Sequence, residues 1–146
     1  MRVAVSACLL GHNCKYNGGN NLNIALVEAL QEHEVVPVCP ETAGGLPRPR
    51  VPAERVGDCV LNAEGEDVTA AFVAGARACL AQACGCDVAV LQPRSPSCGW
   101  GTIYDGTFTG TLVPGNGVFA EMLSEAGVSV LTPTDACPFL TAGGKR

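Results

Sequence analysis

The sequence predicts a three-layer α/β fold with a short, mostly parallel sheet, and three observations point there. Strand-like segments alternate with helix-like ones, the order that builds βαβ units. The strand-like runs, RVAVSA and DVAVL among them, are apolar on both faces, as strands covered on each side by helices must be. Gly 18 and Pro 10 together make about a fifth of the 146 residues, well above the usual share, and they cluster between the short elements.

The elements follow in order. Residues 2–7 (RVAVSA) read as the first strand, followed by a polar, glycine-bearing stretch over 11–21. Leu22, Leu26, Val27 and Leu30 fall at helical spacing over 22–32, with Asn20 or Asn21 as the N-cap. Residues 34–38 (EVVPV) read as a second strand, against which Pro37 counts because it cannot donate to a ladder. A loop rich in Pro, Gly and Arg spans 39–54, and 55–68 suggest a hairpin with its turn at Asn62 to Gly65. Val68, Phe72, Ala76 and Leu80 share one face of a helix that begins near Asp67 and stops before Gly85. A third strand lies at 87–91, and a glycine-rich loop covers 92–117. Helix 118–126 ends at Gly127, a C-cap residue, before a fourth strand at 128–131. The expectation is a single α/β domain over 1–131 and a loose C-terminal tail over 132–146.

Charge removes some function classes. Nine basic against 14 acidic residues give a net charge of -5, so no general attraction to a phosphate backbone exists and bulk nucleic-acid binding is excluded. The longest apolar runs, such as Val88 to Leu91, fall far short of the ~20 residues a membrane helix needs, so no membrane partner is expected. Met1-Arg2 leads straight into a strand-like segment without a signal-peptide pattern, and a cytoplasmic location is expected.

Cysteine is the informative excess. The count of nine is odd, and a domain of this size can bury a core without bridges. In a reducing compartment such cysteines are buried hydrophobes, metal ligands or reactive thiols. Ligands of an open parallel sheet bind beyond the carboxyl ends of its strands. Cys8 follows the first strand, Cys39 the second, and Cys98 lies in the loop leaving the third. Each is flanked by turn residues, in SACLLG, CPE and SPSCG. Three converging thiolates repel one another unless a cation or cluster neutralises them, and soft sulfur selects zinc, copper(I) or iron–sulfur groups. Three protein ligands leave a coordination position open for substrate. Spacing alone does not separate this arrangement from scattered buried thiols, because no local CxxC pair occurs.

Six motifs add a resemblance. SACLLG at 6–11, PVCPETAGGL at 37–46, PRVPAE at 49–54, GEDVT at 65–69, RSPSCG at 94–99 and IYDG at 103–106 occur in this order. They resemble a widespread bacterial family, long catalogued as a domain of unknown function, that includes the thiouracil desulfidases. The resemblance covers about residues 1–131. It implies a Rossmann-like sheet carrying a 4Fe–4S cluster held by Cys8, Cys39 and Cys98, with one iron open to substrate. The implied reaction is hydrolytic, non-redox removal of sulfur from a small thiolated heterocycle such as 2- or 4-thiouracil. Family residues thought to assist match Glu41, as general base, and Ser95, orienting water or substrate. Tyr16, Arg48 and Ser97 are candidate substrate contacts, with Arg50 and Arg94 nearby in the same loops.

The chain departs from the family pattern at Cys14 and at Gln92-Pro93, which bears on substrate identity. Cys14, six residues after Cys8, is a candidate extra ligand or sulfur acceptor. Cys79, Cys84 and Cys86 read as small hydrophobes on or beside an alanine-rich helix. Cys59 and Cys137 have no evident partner. His33 ends a helix, where positive charge is favourable, and His12 reads as a loop residue. Gly115-Asn116-Gly117 opens a helix but matches no nucleotide-binding pattern. Two other readings of the cysteines stay open: a sulfur-handling or cluster-carrier protein without turnover, and a structural zinc site.

Overall fold

The computed structural model describes residues 1–143 of the chain. Four strands form the central sheet: β1 (Arg2–Ser6), β2 (Glu34–Val38), β5 (Val88–Val90) and β8 (Ser129–Leu131). Their order is β2-β1-β5-β8 and every pairing is parallel, with Val3 opposite both Val35 and Val88. Pro37 sits on β2, an edge strand, where a missing N–H costs least.

Period-two alternation divides the core between the two sheet faces. Val3, Val5, Val88 and Val90 face one cluster with Leu26 and Leu30, Ala136 and Leu140. These four belong to, or directly follow, α1 (Ile24–Ala29) and α5 (Pro133–Gly143). Ala4, Val38 and Ala89 face the other, with Phe72 and Ala76 of α3 (Thr69–Ala83) and Phe119 and Leu123 of α4 (Val118–Glu125). Full burial of each large side chain contributes about 1.5–3 kcal/mol, so the two helix layers clamp the sheet from both sides. The three-layer α/β expectation holds.

Four local expectations are corrected. The N-cap of α1 is Asn23, whose Oδ1 accepts from the Leu26 N–H at 3.0 Å. Asn20 Oδ1 instead accepts from the Leu22 N–H, and Asn21 turns its amide towards Cys8. The hairpin comprises β3 (Ala53–Val56) and β4 (Cys59–Asn62), turning at Gly57-Asp58, because Gly57 can take φ 59. Asn62 to Gly65 form the next turn, which folds Asp67 back beside Leu61. The glycine-rich loop contains a second hairpin, β6 (Thr102–Tyr104) and β7 (Leu112–Pro114), whose strands are too short to register as a pattern. Residues 133–143 are no loose tail: α5 buries Ala136 and Leu140 against α1 and the sheet, and the Leu140 carbonyl contacts His33 Nε2 at 3.1 Å. The last part of the expected tail, 144–146, lies outside the described residues.

The chain leaves β1 towards β2 on one side and returns to β5 on the other, so a topological switch point lies between β1 and β5. Ligand sites of open α/β sheets form there. Two close backbone approaches shape that edge. The short α2 (Pro40–Ala43) lies directly on α3, because a Cβ on Gly75 would overlap the Pro40 carbonyl. Gly117 likewise lets the start of α4 meet the Ser95–Cys98 turn, where the Val118 and Phe119 N–H groups donate to the Pro96 and Ser97 carbonyls. The amino end of α4 is thereby committed to the fold.

Candidate active site

At the carboxyl edge of the sheet lies a cavity of about 610 Å³, within the size range of small-molecule sites. Its lining includes Cys8, Cys14, Cys39 and Cys98, which come from three different loops. A 3-10 turn (Ala7–Leu10) carries Cys8 off β1, Cys39 caps α2 after β2, and Cys98 follows the Ser95-Pro96-Ser97 turn after β5. The Ser6 Oγ, 2% exposed, accepts from the Gln92 N–H at 2.9 Å and so ties the ends of β1 and β5 together.

The sulfurs sense one another. Charge on Cys98 or Cys39 opposes ionisation of Cys8, and charge on Cys39 opposes that of Cys98. Burial pushes the Cys98 thiol up to about 12, against hydrogen bonds from Ser6 and Ser97 that favour the thiolate. Cys39 is raised by its hydrogen bond with Cys14 and then by burial, while its Sγ lies 3.2 Å from Thr42 Oγ1. Cys8 is lowered, chiefly by the hydrogen bond from Cys14, and Asn21 Nδ2 approaches its Sγ at 3.8 Å. Cys14, 5% exposed, stands between the two: its hydrogen bond with Cys39 lowers it, but the bond to Cys8 and burial outweigh this and the thiol is raised.

Beside the sulfurs lies a carboxylate held on both oxygens. Glu41 Oε1 accepts from Arg50 Nε and Nη2, both at 3.1 Å, and Oε2 accepts from Ser97 Oγ at 2.8 Å. The Arg50 side chain is only 7% exposed. Its remaining donors reach the Pro47 and Cys14 carbonyls, and its backbone N–H meets the Tyr16 carbonyl at 2.6 Å. One guanidinium therefore joins the loops that carry Cys14, Tyr16 and Glu41. Ser95 Oγ accepts from the Cys98 N–H at 2.7 Å and lies 3.3 Å from Ser97 Oγ, completing a Ser95–Ser97–Glu41 chain.

The structure brings together Cys8, Cys39, Cys98, Glu41, Ser95, Ser97 and Tyr16, all of which line the cavity. Arg48 is not among the lining residues: it is exposed and donates to the Asn13 carbonyl at 3.4 Å. Arg50 takes the inner position two residues on. Cys14, singled out for its spacing, does reach the site. Sequence reasoning missed Glu54, Tyr104, Phe108 and Gly110, which also line the cavity. The PRVPAE and IYDG motifs carried that signal, since Glu54 and Tyr104 lie within them.

An iron–sulfur cluster is held by cysteine thiolates. Four cysteines, Cys8, Cys14, Cys39 and Cys98, line the cavity, with hydroxyl and amide groups around them and no histidine among the lining residues. Among the described residues no three His, Cys, Asp or Glu side chains gather around a single metal ion. A lone ion needs its sulfurs at about 2.3 Å from one centre, whereas a cluster spreads its ligands over several irons. The residues fit the soft, sulfur-rich donor set that an iron–sulfur cluster takes.

Fold and site together define an α/β domain that presents a cysteine set and a clamped carboxylate at its switch point. The chain belongs to the 2-thiouracil desulfurase family, whose model matches residues 3–135. It is similar to uncharacterized protein YbbK of Bacillus subtilis (strain 168), 39% identical over 145 residues and covering 91% of this chain and 96% of the relative. Among solved structures it resembles the 4Fe-4S-dependent thiouracil desulfidase TudS, with a TM-score of 0.86 and 42% identity over 97% of this chain and 96% of that one.

Proposed function

We propose that this protein is a 4Fe–4S-dependent thiouracil desulfidase that removes sulfur from a thiolated pyrimidine by hydrolysis, without net redox change. Family membership and the similarity to TudS support the activity and the cofactor. Cys8, Cys39 and Cys98 would hold the cluster. When bound, it supplies a thiophilic Lewis acid that polarises a C=S bond. The chemistry needs no electron acceptor: water adds to the ring carbon, the C–S bond breaks, and sulfur leaves as sulfide while a C=O bond forms.

The chain's own residues supply the proton handling. Glu41 takes the proton that the attacking water loses, and Arg50 keeps its carboxylate aimed. Ser97, donating to Glu41 Oε2, is placed to orient water at that oxygen, and Ser95 holds Ser97 in turn. The Ser95 hydroxyl is also engaged with the Cys98 N–H, which fits a supporting position behind Ser97. Tyr16, exposed at the cavity rim, offers a face for a planar ring.

The observation that carries this reading is the Arg50–Glu41–Ser97 chain beside cysteines from three loops, in a chain of the desulfurase family. Anaerobic reconstitution with iron and sulfide, followed by incubation with 2-thiouracil, tests it. Stoichiometric uracil and sulfide without added reductant or oxidant are expected. A reconstituted protein that binds the cluster yet releases no sulfide would leave a cluster carrier instead.

A further inference from the structure

The chain has seven aromatic residues, and three of them, Tyr16, Tyr104 and Phe108, line the one cavity that holds the cysteines. Phe108 is the unusual member. It stands at the tip of the β6–β7 hairpin with φ 59, a left-handed conformation that bulky side chains rarely adopt. Glycine would be the default there, and backbone strain of this kind persists only where surrounding structure enforces it.

The enforcing group is Glu54 on β3. Its Oε1 accepts from the Gly106 N–H at 2.9 Å and the Phe108 N–H at 3.1 Å, fixing the turn from below. Gly106, with φ 97, packs so closely on Val56 that a Cβ would overlap it. Glu54 is 9% exposed, and among the described residues it pairs with no lysine or arginine. Its Oε2 makes no hydrogen bond within the described protein, yet no buried polar side-chain atom is left without a partner. Oε2 is therefore not sealed from solvent, and Glu54 is one of the residues that line the cavity.

We propose that Glu54 and Phe108 form the ring-recognition element of the site: Phe108 stacks on a planar heterocycle, and Glu54 Oε2 accepts a ring N–H. The inference rests on the reading of the site as a desulfidase, and it names what the hairpin contributes to that site. A thiolated pyrimidine of the uracil type carries N–H groups next to its C=S or C=O carbons, so a carboxylate acceptor matches its edge. An apolar ring matches its face. Glu54 thus acts twice, directly through Oε2 and as a positioning residue for Phe108 through Oε1. Both residues set affinity and leave proton transfer to Glu41.

Uracil presents the same ring with no sulfur to lose, so it probes recognition without turnover. Its equilibrium binding to the reconstituted protein is measured by calorimetry for the wild type, Phe108→Gly, Phe108→Tyr and Glu54→Gln. Stacking on an aromatic side chain predicts an affinity about tenfold weaker in Phe108→Gly. Phe108→Tyr restores it. Glu54→Gln keeps an acceptor for the turn but exchanges half of the charged edge, and it too weakens binding about tenfold. With 2-thiouracil, both weakened variants raise KM while kcat stays within about twofold of wild type. The Phe108→Gly protein folds at least as stably, because glycine relieves the positive φ.

The outcomes separate the two readings. Wild-type protein that binds uracil more tightly than Phe108→Gly but releases no sulfide upholds recognition and overturns the desulfidase function. Sulfide release with equal uracil affinity in wild type and Phe108→Gly overturns the recognition element alone. No measurable uracil binding by the wild type, or a Glu54→Gln effect on kcat instead of KM, overturns it as well.

Discussion

Strand β5 has a buried cysteine beyond each end, and the two occupy different chemistry. Cys86, 8% exposed, precedes the strand; Cys98, 5% exposed, follows it. Burial raises both thiols. At the amino end Cys86 closes the exit from α3, its N–H donating to the Ala83 carbonyl, with the charges of Arg2 and Asp87 nearby. At the carboxyl end Cys98 lines the cavity, with the hydroxyls of Ser6 and Ser97 beside its sulfur. On the proposed assignment, in which Cys98 holds the cluster and Cys86 does not, burial does not mark a ligand. What marks it is a ring of donors able to stabilise a thiolate once a cationic group takes the proton's place.

The comparison breaks first at iron. Cys98→Ala should lose its iron almost completely and all sulfide release with it, whereas Cys86→Ala keeps a full complement and loses only about 1 kcal/mol of stability. Iron analysis and the visible spectrum of the two reconstituted variants decide. Equal iron in both would erase the distinction between the strand's two ends.

Glu41→Gln gives the next largest effect. The cluster-loaded variant should show an unchanged visible spectrum but a kcat lower by about 10²–10⁴-fold, the usual worth of a positioned general base. A rate within a few-fold of wild type would remove Glu41 from the reaction and leave it as an anchor for Arg50 alone.

Arg50→Lys follows, at about a tenfold loss in kcat with iron retained, because a lysine keeps charge but cannot bridge Glu41 and the Cys14 carbonyl in one plane. Here the limits of the sequence are visible. Cys8, Cys39 and Cys98 were legible because each follows a strand in a loop of turn residues, and parallel topology brings such loops together. Arg48 and Arg50 were not separable, since nothing in PRPR says which side chain points inward. That choice is made by the Cys14–Tyr16 loop, which offers its carbonyls to Arg50. Phe108 was hidden for a similar reason: its placement depends on Glu54, more than fifty residues earlier. The α3 helix was legible from its own periodicity, while α5 took its order from a partner, α1, that a local pattern cannot name.

The smallest effect extends the comparison to Cys79, buried on α3 beneath the Cys39 loop. Burial pushes its thiol up to about 11, with the Cys39 N–H opposing and the charge of Cys39 adding. The folded protein thus favours the neutral thiol, whereas the unfolded chain ionises near 9.0. The stability linked to this proton is fully present below pH 9 and drains away as pH rises to about 11. Cys79→Ala lacks the titrating group and should be less stable at pH 7 by about 1–2 kcal/mol, from lost packing. The gap should then close between pH 9 and about 11, read from urea midpoints of the two loaded proteins. Curves that stay parallel across that range would mean that Cys79 ionises as easily folded as unfolded. Its burial would then be too loose to exclude water, and the contrast between apolar and donor-ringed cysteines would have to rest on β5 alone.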